Sequence, residues 1–366
     1  MRILYISDIT SIHTIRWVRY MVKRNHEVVV LSVRPGEVKG AKVKYIDPGD
    51  KPAPKWFRIL RHLWFILNEW YMIKTGRYDI VHVHFLRADL TGYIATYHPH
   101  SVITTWGSDV KPVSIGGNPN HIEIRKSALE RASIVTVVNS YLEEITRELA
   151  PDIKRTEVIP FGVDLSQFSN RYWKAGKDEE TRFCYAKWLL APHYGPDIAI
   201  KALGQVVEYY PETKLIMLGN GDEAYIDELK QMVMKLKLQK NVMFTGQIKS
   251  DDLVKIFERT DVLLQPSRWE SYGVVILEAA AVGIPTIATQ VGGAADLTLD
   301  GITGLTVPPD NAEALADAMI TLVNDVEYRN ELGRNAYDLV SKLYDFKVHS
   351  ESMETLYKDL IDKKFS

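Results

Sequence analysis

The sequence predicts two α/β domains, each built on a parallel sheet with helices on both faces. Three observations carry this reading. Short apolar runs alternate with amphipathic segments along nearly the whole chain, the pattern left by repeated βαβ units. At 366 residues the chain is too long for one hydrophobic core, so two domains are expected. A polar stretch at 169–181 divides the alternation into two series. The expected organisation is a domain at 1–165, a second at 166–345 and a last helix at 346–366.

Residues 2–7 form an apolar first strand and 14–24 read as a helix. Strands follow at 28–33, 43–47, 79–85, 100–106 and 133–139, and the segment VIPFGVD at 158–164 closes this half. In the second series the strands fall at 182–188, 214–218, 242–245, 262–264, 286–289 and 305–307. Asp310, Asn311, Ala312 and Glu313 read as a capping box that opens a helix to 323. Residues 348–364 form the last helix. No G-x-G-x-x-G follows the first strand, so a dinucleotide cofactor loses its main support. Gly219-Asn220-Gly221-Asp222 is a turn after a strand, a weak signal alone.

The densest stretch is 265–305, QPSRWESYGVVILEAAAVGIPTIATQVGGAADLTLDGITGL. Pro266 and Ser267 break the strand, and a loop carries Arg268, Trp269 and Glu270. A helix begins near 271–273, and Gly283 and Pro285 end it. Glu278 lies in that otherwise apolar helix, where an unpaired carboxylate is costly. A structural salt bridge or cap would explain Glu278 alone. With Glu270 eight residues earlier, two carboxylates and free helix-start N–H groups address one crevice. Helix starts attract phosphate and carboxylates accept from vicinal hydroxyls, so a sugar nucleotide suits both.

Glu270-x7-Glu278, followed by G-x-P-T-I-A-T-x-V-G-G and D-G-x-T-G-L, resembles the signature of the retaining family-4 glycosyltransferases. Weaker echoes run along nearly all of the chain. The resemblance implies the GT-B fold: two Rossmann-like, doubly wound domains facing a central cleft, with the last helix crossing back to the first. The first domain would bind the acceptor and the second the nucleotide-sugar. Ligands in open parallel sheets bind beyond the carboxyl ends of the strands.

By that resemblance Glu278 holds the ribose hydroxyls, and Glu270 approaches the transferred sugar. The backbone of Tyr272, Gly273, Val274 and Val275 would meet sugar and diphosphate, while Gly219 and Phe244 flank the base. Lys187 stands where relatives carry a cation for the diphosphate. His193 is a further candidate there, whereas Tyr194 replaces the usual second cation. In the first domain, His84 matches the position beside the reacting sugar. His82 and His84 on one strand face would otherwise be core residues or a metal pair, and no third ligand is in evidence. Asp109 is a candidate anchor for acceptor or donor hydroxyls. The first loop lacks the family's Gly-Gly pair, so His13 either contacts the donor or opens the helix. Phe161 stands where Asn is usual.

The implied chemistry is a metal-independent retaining transfer from a UDP- or GDP-linked sugar to a glycan or lipid-linked acceptor, without a cofactor. Glycolipid, lipid-linked oligosaccharide or surface-polysaccharide synthesis would be its setting. Retention follows from the resemblance and not from residue spacing. A non-catalytic partner subunit of the same fold stays open, as does a nucleotide-sugar epimerase.

Composition constrains partners and place. Apolar residues make up 46%, charged residues 25%, and the net charge is −2, which gives nucleic-acid binding little support. Residues 1–165 carry 23 Lys and Arg against 17 Asp and Glu, and the rest 22 against 30. The basic half suits an anionic partner such as a phospholipid surface. Cys184 is the single cysteine, MRILYISD reads as a strand rather than a leader, and no apolar run is long enough to span a bilayer. A cytoplasmic protein is expected, with peripheral contact to the membrane as an option. That option rests on 51–77, where Trp56, Leu60, Leu63, Trp64, Leu67 and Tyr71 share one helical stripe. Arg58, Arg61, His62 and Glu69 are expected opposite, and Lys51, Lys55, Lys74 and Arg77 flank them. Such a helix either lies in a membrane interface or packs on the sheet.

Overall fold

The computed structural model describes residues 1–47, 54–87, 89–168, 180–187, 189, 192–248 and 250–363. Lys51, Trp188, Lys364 and the part of the linker at 169–179 lie outside them. The chain divides into two compact units, Met1–Phe161 with Val348–Ser366, and Gly162–Lys347.

The first unit is a seven-stranded parallel sheet. Its strands are β1 (Arg2–Ser7), β2 (Glu27–Ser32), β3 (Lys42–Tyr45), β4 (Ile80–His84), β5 (Ser101–Thr104), β6 (Ile134–Val137) and β7 (Thr156–Val158), in the order β3-β2-β1-β4-β5-β6-β7. The second is six-stranded and parallel, with β8 (Arg182–Ala186), β9 (Lys214–Leu218), β10 (Val242–Gly246), β11 (Val262–Gln265), β12 (Thr286–Thr289) and β13 (Gly304–Val307), in the order β10-β9-β8-β11-β12-β13. Each order reverses once, between β1 and β4 and between β8 and β11. Loops leaving the two strands at such a reversal part to opposite sides and open a crevice at their carboxyl ends. Every residue of β4 and of β11 is buried, as expected of central strands covered on both faces. β7 is an addition to the sequence reading; three residues without full burial give no periodic signal.

The first unit closes at Phe161 rather than at 165, for a local reason. Val163 N–H donates to the Tyr344 carbonyl at 2.8 Å, and the Val163 carbonyl accepts from Phe346 N–H at 3.0 Å. Residues just past Phe161 are thereby tied to the end of the second unit. The last helix, Phe346–Ile361, then returns to the first sheet. The buried Tyr357 hydroxyl bonds to His82 Nδ1 and, at 3.1 Å, to the Tyr5 hydroxyl. Glu354 on the same helix accepts from Arg24 at 2.9 Å and from Lys358 at 2.7 Å.

The helix Lys55–Thr75 corrects the sequence reading. Phe65, Glu69, Met72 and Ile73 face inward, and the aromatic stripe faces out. Glu69 is therefore not on a solvated face. Neither of its carboxylate oxygens has a hydrogen-bond partner among the described residues. Burial, then the charge of Asp89, raises its pKa well above the usual range and favours the neutral acid. Helical periodicity could not foresee this, because the segment is apolar on nearly every side.

His82 and His84 are both buried, and desolvation holds both pKa values down, His84 to about 3. The folded pKa values lie below the unfolded value of about 6.5. Their stabilising contribution is thus complete above roughly pH 6.5 and lost as pH falls toward the folded values. At about pH 5, unfolding should take up close to one proton per buried histidine. His84→Gln is expected to lower proton uptake on chemical denaturation by nearly one, measured by pH-stat titration. Equal uptake in wild type and variant would contradict a neutral His84.

Candidate active site

In the second unit the residues converge at the reversal between β8 and β11. Lys187 follows β8 and Gln265 ends β11. Glu270, only 4% exposed, sits in the loop beyond. Its Oε2 lies 2.5 Å from Lys187 Nζ and accepts from Gln265 Nε2 at 2.6 Å. Gln265 Nε2 also donates to Ser267 Oγ at 3.2 Å. The Lys187 ammonium is 5.1 Å from the centre of the Tyr194 ring, which packs 3.9 Å from the ring of His193. Tyr194 thus presents a π face to the Lys187 ammonium.

Arg268 locks this arrangement from behind. Its guanidinium makes two bonds to Asp197, at 2.9 and 3.0 Å, and one to Asp310 at 2.5 Å. It also donates to the Pro192 carbonyl, and the Arg268 N–H reaches the His193 carbonyl at 2.7 Å. The loop 192–197 is therefore clamped onto the loop after β11. Gly195 makes that closeness possible. It has φ +71°, and a Cβ there would lie 1.9 Å from the Pro266 carbonyl oxygen. Gly195→Ala combines backbone strain with a main-chain clash and should cost about 3 kcal/mol or more. A fall on the order of 10 °C in the melting of this unit is expected by calorimetry. An unchanged melt would refute the close approach.

The next helix is Val274–Ala280, capped by Gly273 at φ +88°. Tyr272, Val275, Ile276, Leu277, Ala279 and Ala280 are buried. Val274 and Glu278, one turn apart, are half-buried. Glu270 is thus the buried, ion-paired carboxylate, and Glu278 is the half-buried one. Gly219, at φ +133°, donates its N–H to the Gly246 carbonyl at 3.1 Å, at the carboxyl ends of β9 and β10. Phe244 is placed apart from Lys187 and Glu270. It lies within β10 and lines a separate cavity of about 920 Å³ with Arg182, Lys214, Ile216, Lys240 and Met243, near the amino ends of the strands. Lys187 and Glu270 do not line that cavity.

The first unit has its own pocket at the reversal between β1 and β4. It holds about 320 Å³ and is lined by Ser7, Asp8, Arg34, His84, Arg87 and Trp106 among others. His84 Nδ1 and Trp106 Nε1 are buried without a hydrogen-bond partner among the described residues. Arg34 lies 3.4 Å from Asp8, and Arg87 2.8 Å from Asp89. His13 does not cap its helix; that position is Ser11. Its ring stacks on Phe161, with centroids 4.2 Å apart, and meets Trp106 edge-on. The unusual Phe161 therefore completes an aromatic cluster instead of a polar contact. Asp109 is likewise corrected. It is buried and accepts from Leu86 N–H at 2.9 Å, Trp106 N–H at 3.0 Å and Gly107 N–H at 2.7 Å. It fixes the loops after β4 and β5 rather than presenting a free carboxylate. No group of three or more His, Cys, Asp or Glu side chains among the described residues is arranged to hold a metal.

Two family models cover the two units in turn. Glycosyltransferase Family 4 matches residues 10–167, and Glycosyl transferases group 1 matches 169–339. The chain is a family-4 glycosyltransferase. Among its relatives, the N-acetyl-alpha-D-glucosaminyl L-malate synthase of Bacillus anthracis is 27% identical, over 77% of this chain and 75% of the relative. The D-inositol 3-phosphate glycosyltransferase of Corynebacterium glutamicum is 26% identical, over 78% and 73%. The crystal structure of HepE from Anabaena in complex with UDP-glucose superposes with a TM-score of 0.80 at 20% identity, covering 98% of this chain and all of that one. The fold of this glycosyltransferase is accordingly GT-B.

Several residues of the glycosyltransferase escaped the sequence reading. Gln265 looked like the polar end of an apolar strand, and nothing in its spacing ties it to Glu270. Arg268 reaches Asp197 across 71 positions, a pairing no local pattern reveals. Arg34 and Arg87 follow β2 and β4 and could have been found by asking which strand-end loops carry cations.

Proposed function

We propose that this glycosyltransferase moves a sugar from a UDP- or GDP-linked donor to a hydroxyl of an anionic acceptor, with retention at the anomeric carbon. The observation that carries the reading is the ion pair of half-buried Lys187 with buried Glu270 at the sheet reversal of the second unit. A cation and a carboxylate held in one low-dielectric place suit a reaction that separates charge. Lys187 would turn from Glu270 to the donor diphosphate as it binds, and stabilise the departing nucleotide. Glu270 would face positive charge building on the sugar ring. Glu278, on the open side of its helix, would hold the ribose hydroxyls, with the backbone of Tyr272–Val275 near the diphosphate.

The same-face route needs no enzymic nucleophile. The anomeric C–O bond to the leaving phosphate breaks, the acceptor oxygen bonds to that carbon from the same side, and its proton passes to the leaving phosphate. His84 fits a hydrogen-bonding part better than a basic one, because a pKa near 3 leaves it a poor proton acceptor. No cofactor or metal enters this scheme.

For the acceptor, the pocket of the first unit offers Arg34 and Arg87 beside the unpartnered His84 Nδ1 and Trp106 Nε1. Guanidinium groups favour carboxylate or phosphate, and the ring nitrogens favour hydroxyls. Two relatives are named for L-malate and D-inositol 3-phosphate, molecules that carry such anionic groups. A lipid-linked phosphate, as in glycolipid or surface-glycan assembly, shares this chemistry.

The first test is a thermal-shift panel with UDP, GDP, ADP and CMP and their sugar conjugates. A ligand at a hundredfold its dissociation constant should raise the melting temperature of the second unit by about 5–10 °C. Transfer with that donor is then followed across paired acceptors with and without a phosphate or carboxylate, and the product anomer is read by NMR. Arg87→Ala should raise the acceptor KM on the order of tenfold for the anionic member only. Inversion would refute the same-face route, and equal use of neutral acceptors would refute the role of Arg87. Donor loss without any acceptor, giving an epimer, would favour the epimerase reading.

A further inference from the structure

We propose that the helix Lys55–Thr75 docks on an anionic lipid bilayer and lies in its headgroup region. Trp56, Leu60, Leu63, Trp64, Leu67 and Tyr71 form one stripe and are each 50–64% exposed. Side chains of this size leave on the order of 500 Å² of apolar surface open, the size of the largest single patch on a typical soluble monomer, which is often a functional surface. The helix already has an inward face, made by Phe65, Met72 and Ile73, so the outer stripe is surplus to packing the first unit.

Charge decides what covers it. The helix carries Lys55, Arg58, Arg61 and Lys74, and its one acid, Glu69, is fully buried. Arg61 reaches inward to Asp47 at 3.1 Å, and Lys55, Arg58 and Lys74 are exposed. The outer surface thus presents tryptophan, tyrosine and leucine with cations and no carboxylate. Tryptophan and tyrosine settle at the boundary between lipid and water, and lysine and arginine attract anionic headgroups. A second copy of the chain fits less well, because a two-fold contact would set these cations against their own equivalents. Among the described residues no helix is both long and apolar enough to cross a membrane.

The proposal deepens the acceptor reading above by giving it a lipid surface, and its test uses neither donor nor acceptor, so the two can fail separately. The full chain is floated with vesicles of phosphatidylcholine alone and with about 30% phosphatidylglycerol. Flotation is expected with the anionic vesicles, with a blue shift of tryptophan emission and release as salt is raised. Trp64→Glu with Leu67→Glu should weaken binding at least about tenfold, and Lys55→Glu with Arg58→Glu should do so for anionic vesicles. All four positions are exposed, so both variants should melt like the wild type. No flotation with anionic vesicles would overturn the proposal. So would flotation unaltered in the Trp64/Leu67 variant, or a dimer by light scattering that this variant splits while vesicle binding is absent.

Discussion

Replacing Glu270 by Gln is expected to lower kcat about a hundred- to a thousandfold, while donor affinity changes by less than about threefold. The amide keeps the shape and can still bond to Gln265, but it removes the charge that faces Lys187 at 2.5 Å. If Glu270 works against charge that develops only as the leaving group departs, its removal acts on the transition state and barely on the ground state. Lys187→Met should behave differently. It leaves the 4%-exposed Glu270 without its cation, which costs about 3–5 kcal/mol of stability, and it should weaken donor binding as well as turnover. The double variant should recover part of that stability, because no charge is then stranded. Steady-state kinetics with nucleotide titration and thermal melts separate these outcomes. Equal losses in kcat and donor affinity for Glu270→Gln would place Glu270 in donor binding.

Much of the fold and of the candidate site is legible in the sequence. Strand positions came from apolar runs that burial enforces, which is why β8–β13 fell within about two residues of their expected ends. The two acids at 270 and 278 stood out because glutamate is rare beside so much apolar sequence. How deeply each is buried could not be read, because helical context says nothing about which face meets the sheet. Lys187 was readable as a cation at a strand end; its pairing with Glu270 joins residues 83 positions apart and could not be read. Tyr194 looked like a defect in a phosphate site, and only its ring beneath Lys187 gives it a purpose. The tertiary partners of the candidates Asp109 and His13, backbone amides for one and an aromatic stack for the other, have no local signal in the sequence.

Glu278→Ala is expected to weaken nucleotide binding about 30- to 100-fold, equivalent to roughly 2–3 kcal/mol for charged hydrogen bonds to the ribose hydroxyls. The half-buried position of Glu278, one turn from Val274 on a helix whose other side chains are mostly buried, is what makes the test clean. Truncation there opens no core cavity, so the ligand-free melting temperature should stay within about 2 °C of wild type. A 2′-deoxy donor provides the complementary measurement. It should bind the wild type more weakly but lose little further affinity in Glu278→Ala, because the hydroxyl and its acceptor form one interaction. Isothermal titration with UDP or GDP and the deoxy analogue completes the cycle. If the two losses simply add, Glu278 does not touch the ribose. A large drop in the ligand-free melt would instead assign Glu278 to holding its helix.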